Sequence, residues 1–177
     1  KTMACTLTTG RKLPCKSAFG GIKKVLFADF GNIGDITVGA TGETTFDGTL
    51  TWFEYDVKGN SSLETTVTSS RENGTTFYTQ TLNLTLTYLD AETQQELQKL
   101  AVARPYIVVE DYYSNRFLVG AENGAECTGG TVVTGAAAGD LSGFTLTFEG
   151  MEETAPYFLD ASQVLTLSTE YINPTGV

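Results

Sequence analysis

The side chains able to do chemistry are few, and what is missing narrows the field first. The chain contains no histidine. That removes Ser-His-Asp and Cys-His nucleophilic arrangements, together with the usual proton shuttle near neutral pH. The three cysteines, Cys5, Cys15 and Cys127, show no CxxC spacing. An odd set leaves one thiol over in any disulfide framework, and three thiolates without histidine leave a tetrahedral zinc site incomplete. They read as free thiols in a reducing cytoplasm, and neither metal nor cofactor is expected. Carboxylates remain. Glycoside hydrolysis needs two of them across one bond, so the doublets Glu110-Asp111 and Glu152-Glu153 are the first candidates. Adjacent strand residues point to opposite faces, so neither doublet presents both acids to one substrate. Pairs drawn from different strands stay open, but solvated surface acids are the preferred reading, and no enzyme is expected. No phosphate-cradling GxxxxGK[ST] or GxGxxG loop occurs. The N-x-[ST] sequons at Asn60, Asn73 and Asn83 are the chance matches of a Thr-rich chain, and no glycosylation is expected.

The elements that must carry these side chains are mostly strands. Thr, Val, Tyr and Phe recur together, which suits a pleated, half-buried surface. Residues 81–89 read TLNLTLTYL, placing Leu82, Leu84, Leu86 and Tyr88 on one face, and 144–149 read FTLTFE with Phe144, Leu146 and Phe148 likewise. Further strands are expected at 25–30, 50–58, 63–70, 106–111, 116–120 and 126–134, with an edge strand at 164–167. Turn residues separate them at Lys58-Gly59-Asn60, Glu72-Asn73-Gly74 and Ser114-Asn115. One segment differs: 90–103 reads DAETQQELQKLAVA, rich in helix formers, with Asp90 as N-cap, Leu97, Leu100 and Ala101 on one stripe, and Pro105 beyond its end. The expectation is an all-β fold, a β-sandwich or barrel, with one flanking α-helix and a long hairpin arm. A single domain over 1–160 and a C-terminal tail over 161–177 fit the length.

Charge is unevenly spread. Eleven basic and 21 acidic side chains give −10 overall, which argues against gripping nucleic acid. Residues 1–24 carry six bases and no acid, whereas 110–160 carry nine acids and one base, Arg116. A basic end and an acidic end favour head-to-tail contacts between copies, which make rings or filaments. The opposing expectation is that folding intermixes the two segments. Residues 58–76 (KGNSSLETTVTSSRENGTT) are polar, with Leu63 and Val67 as the only aliphatic anchors, and such an arm gains stability by lying on something else. Residues 124–143 hold a glycine-rich stretch with Ala136-Ala137-Ala138, expected as a loop around 135–139. No apolar run approaches the roughly 18 residues of a membrane span, and no secretory signal is expected in 1–20.

The opening MACTLTTGRKLPCKSAFGGIKKVLFADF (residues 3–30) resembles the start of tail tube proteins of tailed bacteriophages. So does the order of polar arm, Thr-rich strands, one helix after DAETQQEL, and the closing FTLTFEGMEETAPYFLD (144–160). The resemblance covers most of residues 3–160 and rests on overall pattern. It implies hexameric rings stacked into a hollow tube, with strands of six subunits joined in one inner barrel that leaves no strand edge exposed. It implies that an arm reaches the adjacent ring, here through Lys58, Asn60, Leu63, Val67, Arg71, Glu72 and Asn73. An N-terminal contact between subunits would use Arg11, Lys12, Lys16, Lys23 and Lys24. An acidic lumen lets DNA slide without specific binding, and Glu54, Asp56, Glu110 and Asp111 are the candidate lumen acids. The implied partners are further copies of the chain, other tail proteins and passing DNA, with no membrane. The implied location is the virion tail after synthesis in the host bacterial cytoplasm.

Rival readings carry their own signatures. A glycan-binding β-sandwich would need an aromatic platform, for which Trp52, Tyr112 and Tyr113 are the candidates. A pilin-like subunit would normally carry a signal sequence and a disulfide. A head–tail connector or terminator would make one ring and stop.

Overall fold

The computed structural model describes residues 7–57 and 59–174. Met3, Cys5 and Lys58 lie outside them. Twelve strands and one helix follow in order: β1 (Ile22–Ala28), β2 (Ile36–Val38), β3 (Thr44–Phe46), β4 (Thr51–Asp56), β5 (Ser62–Ser70), β6 (Thr75–Thr87), α1 (Ala91–Val102), β7 (Tyr106–Asp111), β8 (Arg116–Val119), β9 (Glu126–Val133), β10 (Gly143–Glu152), β11 (Tyr157–Phe158) and β12 (Thr166–Leu167). They form an all-β sandwich of a six-stranded sheet, β11-β8-β7-β1-β4-β12, on a four-stranded one, β5-β6-β10-β9, with β2 and β3 as a separate hairpin.

Alternation decides what each strand buries. Leu82, Leu84 and Leu86 of β6 and Phe144 and Phe148 of β10 point at Val25, Phe27, Ile107, Val109 and Val119 of the other sheet. This is the core expected from TLNLTLTYL and FTLTFE. Phe27 meets Phe148 at 5.3 Å and Tyr55 edge-on at the same distance, a favourable aromatic geometry. Burial, with a smaller contribution from Glu96, pushes the Tyr55 hydroxyl up to about 12. Tyr88, expected inward with the leucines, instead leaves the strand at φ 68° and is exposed.

The six-stranded sheet is buried on its second face as well. Leu26, Ala28, Trp52, Tyr106, Val108 and Leu118 pack there under Ile33, Phe46, Leu50 and Leu159. Runs such as VLFA and YIVV are therefore buried on both faces and do not alternate. Part of this cover comes from the segment expected as a tail after residue 160. Arg116 holds it by donating to the carbonyls of Asp160 (2.7 Å), Ala161 (2.9 Å) and Gln163 (3.0 Å). The Gln163 side chain accepts from Phe46 N, and β12 then pairs in parallel with β4. This part of the chain is docked through Ser168, whose N–H donates to Trp52 O at 2.8 Å.

Helix α1 starts where expected. The Asp90 carboxylate accepts from Thr93 N at 3.2 Å, satisfying one of the free first-turn donors. Leu97 is buried and Leu100 packs beside it against the central core, while Ala101 stays exposed. The loop expected around residues 135–139 is a tight one. Asp140 Oδ2 accepts from Ala136 N and Ala137 N (3.0 and 2.8 Å), and those N–H groups, Ala137's first, hold its carboxyl below the usual range.

Candidate functional site

The four-stranded sheet has an outward face of unusual chemistry. With the leucines of β6 facing inward, Thr81, Asn83, Thr85 and Thr87 must face outward, as must Thr145, Thr147 and Glu149 of β10. Thr131 and Glu126 of β9 and Glu64 and Thr66 of β5 join them by register. The hydroxyls bond across strands: Thr131 to Thr145, and Thr147 to Asn83 Oδ1 at 3.0 Å. None of the four strands contains a lysine or arginine. Three acids lie in one row across the sheet, Glu64 opposite Thr81, Thr81 opposite Glu149, and Glu149 opposite Glu126. Like charges directly opposite destabilise a sheet, so the Glu149–Glu126 pair is a cost that folding alone does not explain.

The same sheet ends on two long free edges. β5 has nine residues and β9 has eight, and among the described residues each pairs on one side only. Such rows of unpaired N–H and C=O groups are templates for another chain. The six-stranded sheet differs, because its edge strands β11 and β12 have two residues each. Two glycines let β9 and β10 lie flat against their neighbours. A Cβ on Gly130 would come within 2.5 Å of Thr145 O, and one on Gly143 would collide with Leu86 O.

The expected arm is a continuation of this sheet. β5 and β6 pair without a break from Ser62↔Asn83 to Ser70↔Thr75, while β10 accompanies β6 only as far as Tyr78. Residues 68–77 therefore project beyond the sandwich as a two-stranded tip. Arg71, Glu72 and Asn73 form its exposed turn, closed by Asn73 N donating to Ser70 Oγ and by Gly74 at φ 63°. The proximal arm residues lie elsewhere. Leu63 packs on the central core, and Asn60 sits at the sheet's base, where its carbonyl accepts from Thr85 Oγ1. Val67 lies opposite Tyr78, the last residue before the tip, and is exposed.

The other expected site residues meet one another. Lys24 Nζ lies 3.0 Å from Glu54 and 3.9 Å from Glu110, and Lys23 lies 3.7 Å from Glu110. The hydrogen bond to Glu54 holds the Lys24 ammonium above the usual lysine pKa, with Glu110 and Asp56 adding to it against the opposing effect of burial. Glu54, Asp56 and Glu110 do share a face, but it belongs to the six-stranded sheet, interleaved with Lys24 and with Arg116. Asp111 is folded into the β7–β8 turn, accepting from Tyr113 N, Asn115 N and Asn115 Nδ2. Here the basic and acidic segments intermix within one chain. Among the described residues of the basic segment, Arg11, Lys12 and Lys16 stay apart, on the exposed stretch before β1. The three residues expected for a glycan platform do not come together on one surface. Trp52 is wholly buried, whereas Tyr112 and Tyr113 are exposed beside the stretch before β1, Tyr112 meeting Phe19 edge-on at 5.2 Å and the Tyr113 hydroxyl donating to Ser17 O.

The acid row was missed in sequence because Glu64, Glu126 and Glu149 are far apart in the chain and each is the one acid on the outward face of its strand, Glu152 of β10 being buried. The available signal was the absence of Lys and Arg from four Thr-rich strands. Among the described residues no helix is long and apolar enough to cross a membrane. No protein-family model, no curated protein and no solved structure matches this chain.

Proposed function

We propose that the protein is a non-catalytic structural subunit that assembles head to tail through β5 and β9 into rings, and that the rings stack into a tube, as in a phage tail conducting DNA. The observation that carries this reading is the acid row on a sheet with two free edges. The sheet has four strands, each antiparallel to its neighbour. An even number means that β9 of one copy meets β5 of the next in antiparallel sense, so the ladder continues from copy to copy. Closing it into a ring removes both edges. The Thr-lined face then becomes the inner wall, and Glu64, Glu149 and Glu126 repeat around it as a belt of negative charge that repels phosphate. These three acids replace Glu54, Asp56, Glu110 and Asp111 in the lumen role. The projecting tip, residues 68–77, is the part positioned to reach a neighbouring ring.

Electron microscopy of the purified protein over a concentration series tests the proposal. Hollow tubes or stacked rings are expected. Single rings that never stack would point to a head–tail connector, and monomers up to the solubility limit would overturn the reading.

A further inference from the structure

Two apolar grooves open on opposite sides of the sandwich, each beside one of the free edges. The first, of about 490 Å³, lies where the sheets part beside β5, among Ile22, Leu63, Val109, Phe117, Pro156 and Phe158. The second, of about 390 Å³, runs between α1 and β9, among Leu97, Ala101, Cys127, Val132, Phe144 and Leu146. Apolar side chains stay wet in both: Phe158 is 50% exposed and Val132 61%. Phe117 and Phe158 meet at 4.6 Å with their rings tilted by 57°, making one aromatic rim. Contiguous apolar surface of this kind marks an interaction site.

We propose that the two grooves close on each other between neighbouring copies, the Phe117–Phe158 rim of one packing against the Ala101 side of α1 in the next. The inference rests on the head-to-tail contact proposed above and adds its second layer. The occupant follows from geometry. When β9 pairs with a neighbour's β5, the two strands lie about 4.8 Å apart. A helix with its side chains is about 10 Å wide. Helix α1, which already borders β9, therefore overhangs the neighbour's β5, whose inward residues Leu63 and Thr65 line the first groove. The helix side bordering its own groove carries Gln94, Gln98 and Ala101, with no charge to desolvate. Val102 beside it is 89% exposed. Within one copy α1 covers only one side of the sandwich. In the ring it covers both.

The test is cross-linking of the full chain carrying Ala101→Cys and Phe158→Cys, with Cys5, Cys15 and Cys127 replaced by Ser, using a bis-maleimide. The double variant is expected to give a ladder of covalent oligomers, and either single variant none. Normal rings by microscopy without a ladder would overturn the groove contact and leave the ring intact. A protein monomeric at its solubility limit would overturn both. A second variant, Ala101→Glu, alters an exposed helix position and should fold unchanged. It places an unpaired charge in the closed grooves and is expected to weaken self-association at least about tenfold. Unchanged association would overturn the proposal.

Discussion

Lys24 Nζ lies 3.0 Å from Glu54 Oε2, joining the centre of the six-stranded sheet to its β4 neighbour. Both side chains are mostly buried, at 25% and 16% exposure. Lys24→Met is expected to cost about 1 kcal/mol, because it strands Glu54 and weakens the setting of Glu110. The Lys24 pKa is raised on folding. Its contribution is therefore complete below the unfolded value of about 10.4 and is lost as pH rises through the higher folded value. Urea midpoints of wild type should fall in that alkaline window, and those of the variant should fall less.

Glu152 carries the opposite kind of strain. It is 3% exposed, and its Oε1 accepts from Asn123 N (2.9 Å) and Glu122 N (3.3 Å), while Oε2 has no partner among the described residues. Burial pushes its carboxyl above the usual range, and the two N–H groups only partly offset this. A raised carboxyl pKa favours folding fully below about 4.3 and loses that contribution as pH rises through the folded value. Glu152→Gln should flatten this part of the stability–pH curve and raise stability at pH 7 by about 1 kcal/mol. Urea unfolding at pH 5 and pH 7 measures both.

Removing the helix cap should loosen α1 without unfolding the sandwich. Asp90→Ala leaves Thr93 N without its acceptor and is expected to cost about 1 kcal/mol in chemical denaturation.

The acid row can be read out with DNA. Assembled Glu64→Lys/Glu149→Lys tubes are expected to retain double-stranded DNA at low salt and to release it steeply as salt rises, whereas wild-type tubes should retain none. Equal retention by both would contradict a lumenal position for the row.

Replacing residues 68–77 by a short turn removes only chain that projects beyond β10. The shortened protein is expected to keep its thermal unfolding midpoint, since β5 and β6 remain paired below Val67 and Tyr78. It is also expected to form rings that do not stack. Normal tubes from this deletion would contradict the role of the tip.

Much of the fold was legible because alternation is a local property. TLNLTLTYL and FTLTFE show period two within single strands, and they supply the inward faces of β6 and β10 as expected. Helix α1 was legible for the same reason, since Asp90 and the Leu97–Leu100 stripe are about two to three turns apart. The hairpin of β2 and β3 was not, because strands of three residues are too short to show a period. In the segment after residue 160 the edge strand expected at 164–167 is present as β12, but its anchoring was not legible, because it depends on Arg116 reaching carbonyls more than forty residues away in sequence.

By itself the sequence determined the fold class, the helix, the missing histidine and the net charge, all of which follow from composition or from neighbours along the chain. Tertiary structure alone decided which charges act together. Strand order put Lys24 between β4 and β7 and so paired it with Glu54 and Glu110. Register aligned Glu64, Glu149 and Glu126, each from a different strand, in one row on a sheet whose four strands contain no lysine or arginine. Coulomb interactions depend on distance in space, and in a sheet that distance is fixed by pairing between remote segments.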